Sequence, residues 1–242
     1  MNATIARLTW RSLLGRRRAL LLLILPVMLL ILAVMVRIFQ GADPEHASLL
    51  LGIFAVPFLI PLLGLIAGTG SIGPEIDDGS IVYVLAKPLS RYTIIITKLV
   101  VAVVVMIAFG SLPILVAGFI LANGEANVAI GYAVGSVAAG ITYVALFLLL
   151  GVITRNAVVT GLLYVLVWES AVGSFVPGAQ ALSVQQWGMS VAEKIVGARA
   201  EELNVTSPVA LTTAVVLLVV LTLGATGYAG YRLRSIRLTS DE

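Results

Sequence analysis

GPEIDDGSIVYVLAKPLSRYTIIITK, residues 73–98, is a short polar segment set between two long apolar ones. It carries three acids (Glu75, Asp77, Asp78), two prolines (Pro74, Pro88) and three cations (Lys87, Arg91, Lys98). Its middle, Ile81 to Leu85, is apolar but far shorter than the roughly 20 residues a spanning helix needs. The flanking runs do reach that length, so this stretch reads as a loop joining two membrane helices, and the chain as a polytopic membrane protein.

The composition agrees. Of 242 residues, 60% are hydrophobic and 11% charged, against about 25% charged in soluble domains. Mean hydropathy is +1.10. The ten-residue alternation of a transmembrane β-barrel is absent. The fold class expected is therefore all-α, with six transmembrane helices at roughly 19–38, 49–70, 93–121, 129–153, 157–176 and 208–231. Residues 1–18 form a cytoplasmic N-terminal unit, 19–231 the membrane domain and 232–242 a tail. The spans leave no room for a soluble domain of ordinary size. With no cysteine, disulfides and thiol chemistry are excluded.

Charge sets orientation. Arg7, Arg11, Arg16, Arg17, Arg18, Lys87, Arg91, Lys98, Arg155, Arg232, Arg234 and Arg237 fall on one side, twelve of the 15 cations. Both termini are then cytoplasmic. Arginine outnumbers lysine, which points to a G·C-rich bacterial genome, and the expected location is the cell membrane. In the N-terminal unit, Arg7 and Arg11 share one helical side while Trp10, Leu13 and Leu14 gather elsewhere, the pattern of an interfacial amphipathic helix. The basic clusters fit lipid headgroups; nucleic acid needs a basic face on an accessible domain, and none is available.

Pro57 and Pro61, four apart in the second span, predict a bend or local unwinding. Gly64/Gly68 and Gly131/Gly135 are spaced for close helix packing. The outer segment 176–207 is expected to form one or two short helices on, or dipping into, the outer leaflet. Asn204-Val-Thr206 fits a glycosylation acceptor, which carries no meaning in a bacterial protein.

Few residues offer chemistry. No phosphate-binding loop is present, so the chain has no ATP site of that kind. His46 beside Asp43 and Glu45 is a poor metal set, and no catalytic or metal site is assigned. Arg37, at the outer end of the first span, reads as a snorkelling residue. Glu169 stands out: about 12 residues into the fifth span, it lies roughly 18 Å along the helix, past the middle of a core about 30 Å thick. Such an acid faces a bundle interior or aqueous path, unless the span ends early and it meets the outer headgroups.

Within the central loop, Pro74 suits a first helical turn and Glu75, Asp77 and Asp78 suit a helix N-terminus. Ile81, Val82, Val84 and Leu85 form an apolar stripe, and Ser90 can cap the third span. One or two short helices beneath the membrane are expected over 71–92.

The succession Glu75, Gly79, Ser80, Ile81, Leu85, Pro88, Leu89, Ser90, Arg91 and Lys98 resembles the first cytoplasmic loop of ABC-2 type transporter permeases. Asp77-Asp78 departs from the basic or mixed pair of many members. The resemblance implies a permease that dimerises, as a homodimer or similar heterodimer, and binds two separate ATPase subunits, which carry the ATP and Mg; the chain itself needs no cofactor and is not an enzyme. It implies that Glu75, Ile76, Asp77, Asp78, Gly79, Ser80, Ile81 and Leu85 couple to the ATPase. It also implies that spans two and five line the path, placing Phe54, Pro57, Phe58, Pro61, Tyr164, Trp168 and Glu169 near an amphipathic or lipophilic export substrate. Two other classes fit less well. A non-exporting energy-coupling subunit would drive an extracytoplasmic partner through 176–207. A lipid-modifying enzyme would need convergent ionisable groups, and the spans offer essentially Glu169 alone.

Overall fold

Every element among the described residues is helical, as a backbone that must satisfy itself in lipid requires. The computed structural model describes residues 3–78, 90–172 and 178–235. Helix α1 spans Ala3–Leu13 and α2 Arg16–Gln40. Helix α3 runs Pro44–Asp77, with a π-helical stretch at Leu51–Leu59. Helix α4 runs Arg91–Leu121, with a π-helical stretch at Ile107–Ser111. Helix α5 is Ala126–Ile153. Helix α6 is Ala157–Leu163 and continues as π-helix over Tyr164–Val172. Helix α7 is Val184–Val196, and α8 is Leu211–Ser235.

Five of these, α2, α3, α4, α5 and α8, are long and apolar enough to cross a membrane. Their outward faces are apolar: Leu20, Ile24, Ile31 and Ile38 on α2, and Val216, Val220 and Leu223 on α8, are exposed. This is a membrane protein. The span expected over 157–176 is a shorter apolar helix, Ala157–Glu169, and residues 173–177 lie outside those described.

Helix α5 is the axis. Its buried face includes Tyr132, Tyr143 and Phe147, and α3, α7 and α8 pack on it. The expected glycine contacts are contacts within this chain. A Cβ at Gly64 would lie 2.8 Å from Tyr143 Cβ, and one at Gly68 2.8 Å from Phe147 Cβ. A Cβ at Gly135 would lie 2.5 Å from the Gly188 carbonyl of α7. Only glycine lets these backbones approach so closely.

Prolines account for the π-turns of α3 and α4. A proline inside a helix has no N–H for the carbonyl four residues back and its ring clashes there. The widened segment Leu51–Leu59 contains Pro57 and precedes Pro61, and Ile107–Ser111 precedes Pro113. The expected unwinding in the second span thus takes the form of a wider helix that continues unbroken.

Helix α3 also corrects the reading of the central loop. It does not end at Gly70; it continues to Asp77, with Pro74 inside its last turn. The acids therefore sit at the C-terminal end of a long helix, not at the start of a new one. The continuation is possible because the carbonyl Pro74 cannot serve, that of Gly70, finds other donors. Arg18 Nη1 donates to it at 3.1 Å and Ser12 Oγ at 3.5 Å.

One end of the bundle gathers α1, the C-terminal turns of α3 and α5, the start of α4 and the end of α8. Ile5, Ile72, Ile94, Ile95, Leu148, Ala229 and Leu233 form a small core there. Helix α1 buries Ile5, Thr9 and Leu13 and leaves Leu8, Trp10, Arg7 and Arg11 exposed. Burial thus falls on Leu13 but not on Trp10.

Candidate functional site

Among the described residues, two constellations built on a buried charged side chain, Lys98 and Glu169, interrupt the apolar bundle. The first closes the end where the central loop leaves. Ser90 starts α4, its hydroxyl accepting from the Thr93 amide at 3.1 Å, as its sequence position suggested. Two turns further along α4, Lys98 is fully buried. Its ammonium donates to Glu75 Oε1 at 2.5 Å and to the Ser71 carbonyl at 2.7 Å. Glu75 is only 18% exposed. A carboxylate at a helix C-terminus is opposed by the helix dipole; the Lys98 charge offsets that and ties the last turn of α3 to α4.

Of the residues implied for ATPase coupling, Glu75 and Ile76 are half-buried and Asp78 is exposed. Asp78 closes α3, its amide donating to the Pro74 carbonyl at 2.9 Å. Gly79, Ser80, Ile81 and Leu85 lie outside the described residues, as does the Asp77 side chain. Lys98 as the partner of Glu75 was not foreseen, although a lone cation entering an apolar helix is a signal that it needs an anion.

The second constellation surrounds Glu169, which is 2% exposed. Its surroundings are protein. Its Oε1 accepts from Tyr164 Oη at 2.9 Å and from the Val184 amide at 3.1 Å. Its Oε2 accepts from the Ser183 hydroxyl, and from the Gln185 amide at 3.5 Å. Val184 and Gln185 open α7, and Ser183 is its N-cap. The carboxylate therefore caps a buried helix start, where free amides and the dipole favour negative charge. Trp168 adds a hydrogen bond from Nε1 to the Leu182 carbonyl at 3.4 Å. Behind them, Tyr143 stacks on Phe147 at 5.9 Å, and Tyr164 meets Phe147 edge-on at 6.1 Å.

Helix α7 explains why this start is deep. Gly188 lies against Gly135 and Ala139, near the middle of α5, and Ala192 against Gly131 and Gly135. Val184, Trp187, Met189, Ala192 and Val196 are buried. The outer segment therefore inserts into the bundle more than it lies on the surface.

The residues implied for a substrate path separate into two groups. Tyr164, Trp168 and Glu169 belong together, around Phe147 and residues 182–185. Phe54 and Pro57 are half-buried, Phe58 is exposed and Pro61 is buried, all on α3. The hydrogen bonds and ring contacts described for the first group do not reach the second. Elsewhere, Asp43 caps α3 by accepting from the Glu45 amide at 2.8 Å, a local role beside His46. Arg37 donates to the Ile120 carbonyl at the end of α4.

No protein-family model matches this chain, and a search of curated proteins finds no significant match.

Proposed function

We propose that this chain is the transmembrane subunit of an ABC-2 type transporter. In this reading the segment that begins with α6 and its π-helical continuation is the sixth span, as the sequence suggests. Both termini are cytoplasmic, α1 lies at the inner interface with Trp10 at headgroup level, and the protein sits in a bacterial cell membrane. Two copies, or this chain and a similar one, form the path. Two separate ATPase subunits bind ATP and Mg and seat the segment from Glu75 to Leu85.

The observation that carries the reading is the Lys98–Glu75 tie. It joins α3 to α4 at the point where the proposed coupling segment leaves the bundle. A displacement imposed on that segment would move both helices together, and α3 is one wall of the proposed path. Phe54, Pro57, Phe58 and Pro61 belong to that wall, and an apolar wall suits an amphipathic or lipophilic export substrate. Glu169, engaged by four donors, acts as a structural cap in this scheme and not as a substrate contact. The energy-coupling alternative draws less support, because α7 buries the apolar side chains that would otherwise be offered to an outer partner.

The test is co-expression with a candidate ATPase subunit, purification of the complex, and ATPase rates with and without Asp78→Lys. Asp78 is the variant of choice because it is exposed, whereas removing Glu75 strands a buried lysine. The expected result is a stable complex whose stimulated hydrolysis falls several-fold in the variant. Failure of any ATPase to bind, or hydrolysis unchanged by the charge reversal, would sink the proposal.

A further inference from the structure

Between α2, α3 and α6, at the same end of the bundle as the Lys98–Glu75 tie, lies a cleft of about 380 Å³. Its polar lining includes Arg18 and Arg155, and none of the described residues that line it is acidic. Its apolar walls include Leu21, Leu65, Val158 and Val159. Leu21, Val158 and Val159 are more than half exposed, so the apolar side of the cleft opens where lipid chains would lie.

From this arrangement we infer that the cleft is a binding site for the headgroup of an anionic glycerophospholipid. The argument is charge complementarity with a built geometry. Arg18 is held in place by its bonds to Ser12 and the Gly70 carbonyl. That engagement uses Nη1 and leaves the rest of the guanidinium fork for a phosphate, which guanidinium groups bind bidentately. Arg155 stands exposed at the mouth. A cleft of this size is at the lower end of small-ligand sites: it takes a phosphate and glycerol, not two acyl chains, which would run out over Leu21, Val158 and Val159. Basic pockets between membrane helices bind lipid phosphates on just this basis. The site does not depend on the transporter reading.

Two variants probe it without touching the core. Arg155→Gln removes one cation from an exposed position. Gly73→Leu narrows the cleft: Gly73 lines it, a Cβ there meets nothing within 4 Å, and leucine favours a helix interior more than glycine does. The detergent-purified full chain is titrated with phosphatidylglycerol or phosphatidylcholine and read by native mass spectrometry, with thermal unfolding as a check on folding. The expected result is one retained phosphatidylglycerol per chain at concentrations where phosphatidylcholine leaves none. Arg155→Gln should weaken retention about tenfold, the size of one lost charge-assisted hydrogen bond, and Gly73→Leu should abolish it at a melting temperature no lower than that of the unmodified chain. Equal retention of both lipids, or retention of phosphatidylglycerol unaffected by Arg155→Gln, would overturn the site. So would displacement by millimolar inorganic phosphate, which would make it a free-anion site instead.

Discussion

Lys98 and Glu75, 23 residues apart in sequence, meet at 2.5 Å inside the end of the bundle, with the lysine fully buried. The pair ties the C-terminal end of α3 to α4.

Breaking this pair from one side should be costly. Lys98→Ala leaves a carboxylate without its cation and should destabilise the protein by about 3–5 kcal/mol. Replacing both partners, Lys98→Met with Glu75→Leu, should recover most of that loss, because apolar substitutes of similar volume are often neutral. Thermal unfolding in detergent measures both. A double variant no more stable than the single one would contradict this account of the pair.

Glu169 should matter most for α7. Glu169→Ala removes the acceptor of buried amides and should cost about 2–4 kcal/mol. Glu169→Gln keeps the shape but turns an amide NH₂ toward donors, and should be intermediate. Hydrogen exchange at the Val184 and Gln185 amides is the direct readout. Their protection should fall roughly tenfold or more in Glu169→Gln, while amides at the far end of α7 change little. Uniform loss along the whole bundle would instead mean that the capping is not local.

The glycine contacts make a paired prediction. Gly135→Ala places a methyl 2.5 Å from the Gly188 carbonyl, a backbone atom that cannot rotate away, and should cost about 1–3 kcal/mol by overpacking. Gly224→Ala, on α8 with nothing within 4 Å of the added carbon, should be neutral or stabilise by up to about 1 kcal/mol through helix propensity. Melting temperatures that fail to separate the two would argue against close approach of α5 and α7.

At the opposite end from the Lys98–Glu75 tie, Arg199 joins Glu202 and Glu125 in an exposed cluster. The Arg199 hydrogen bond, with its charge, holds the Glu202 carboxyl below the usual carboxylate range. A depressed value means that the folded state favours the ionised form. The contact is therefore fully present at neutral pH and is lost as pH falls through that lowered value. Carbon-13 titration of the Glu202 carboxyl should show a midpoint below that of an ordinary glutamate, moving upward in Arg199→Gln. An identical midpoint in both proteins would show that the contact does not persist in solution.

The class of this protein was legible in the chain because it depends on local pattern. Apolar runs of about twenty residues become helices in lipid, since a helix satisfies its backbone polar groups within one segment and the alternation of a closed barrel is absent. Ser90 as a cap, the glycine pairs as contact points and the disturbance at Pro57 and Pro61 were readable for the same reason. Each follows from spacing within one element.

What only the tertiary structure decided is which distant group satisfies each polar one. Pro74 reads as a helix boundary, yet the helix passes through it because Arg18 and Ser12, more than 50 residues earlier, take up the Gly70 carbonyl. Glu169 reads from its depth as an acid that faces a bundle interior, an aqueous path or the outer headgroups; that the amides at the start of α7 donate to it could not be read from the chain. Lys98 reads as one more loop cation until Glu75 is brought beside it. A sequence shows that a buried charge or a freed carbonyl needs a partner. Which partner it receives is settled by the packing of helices far apart in the chain.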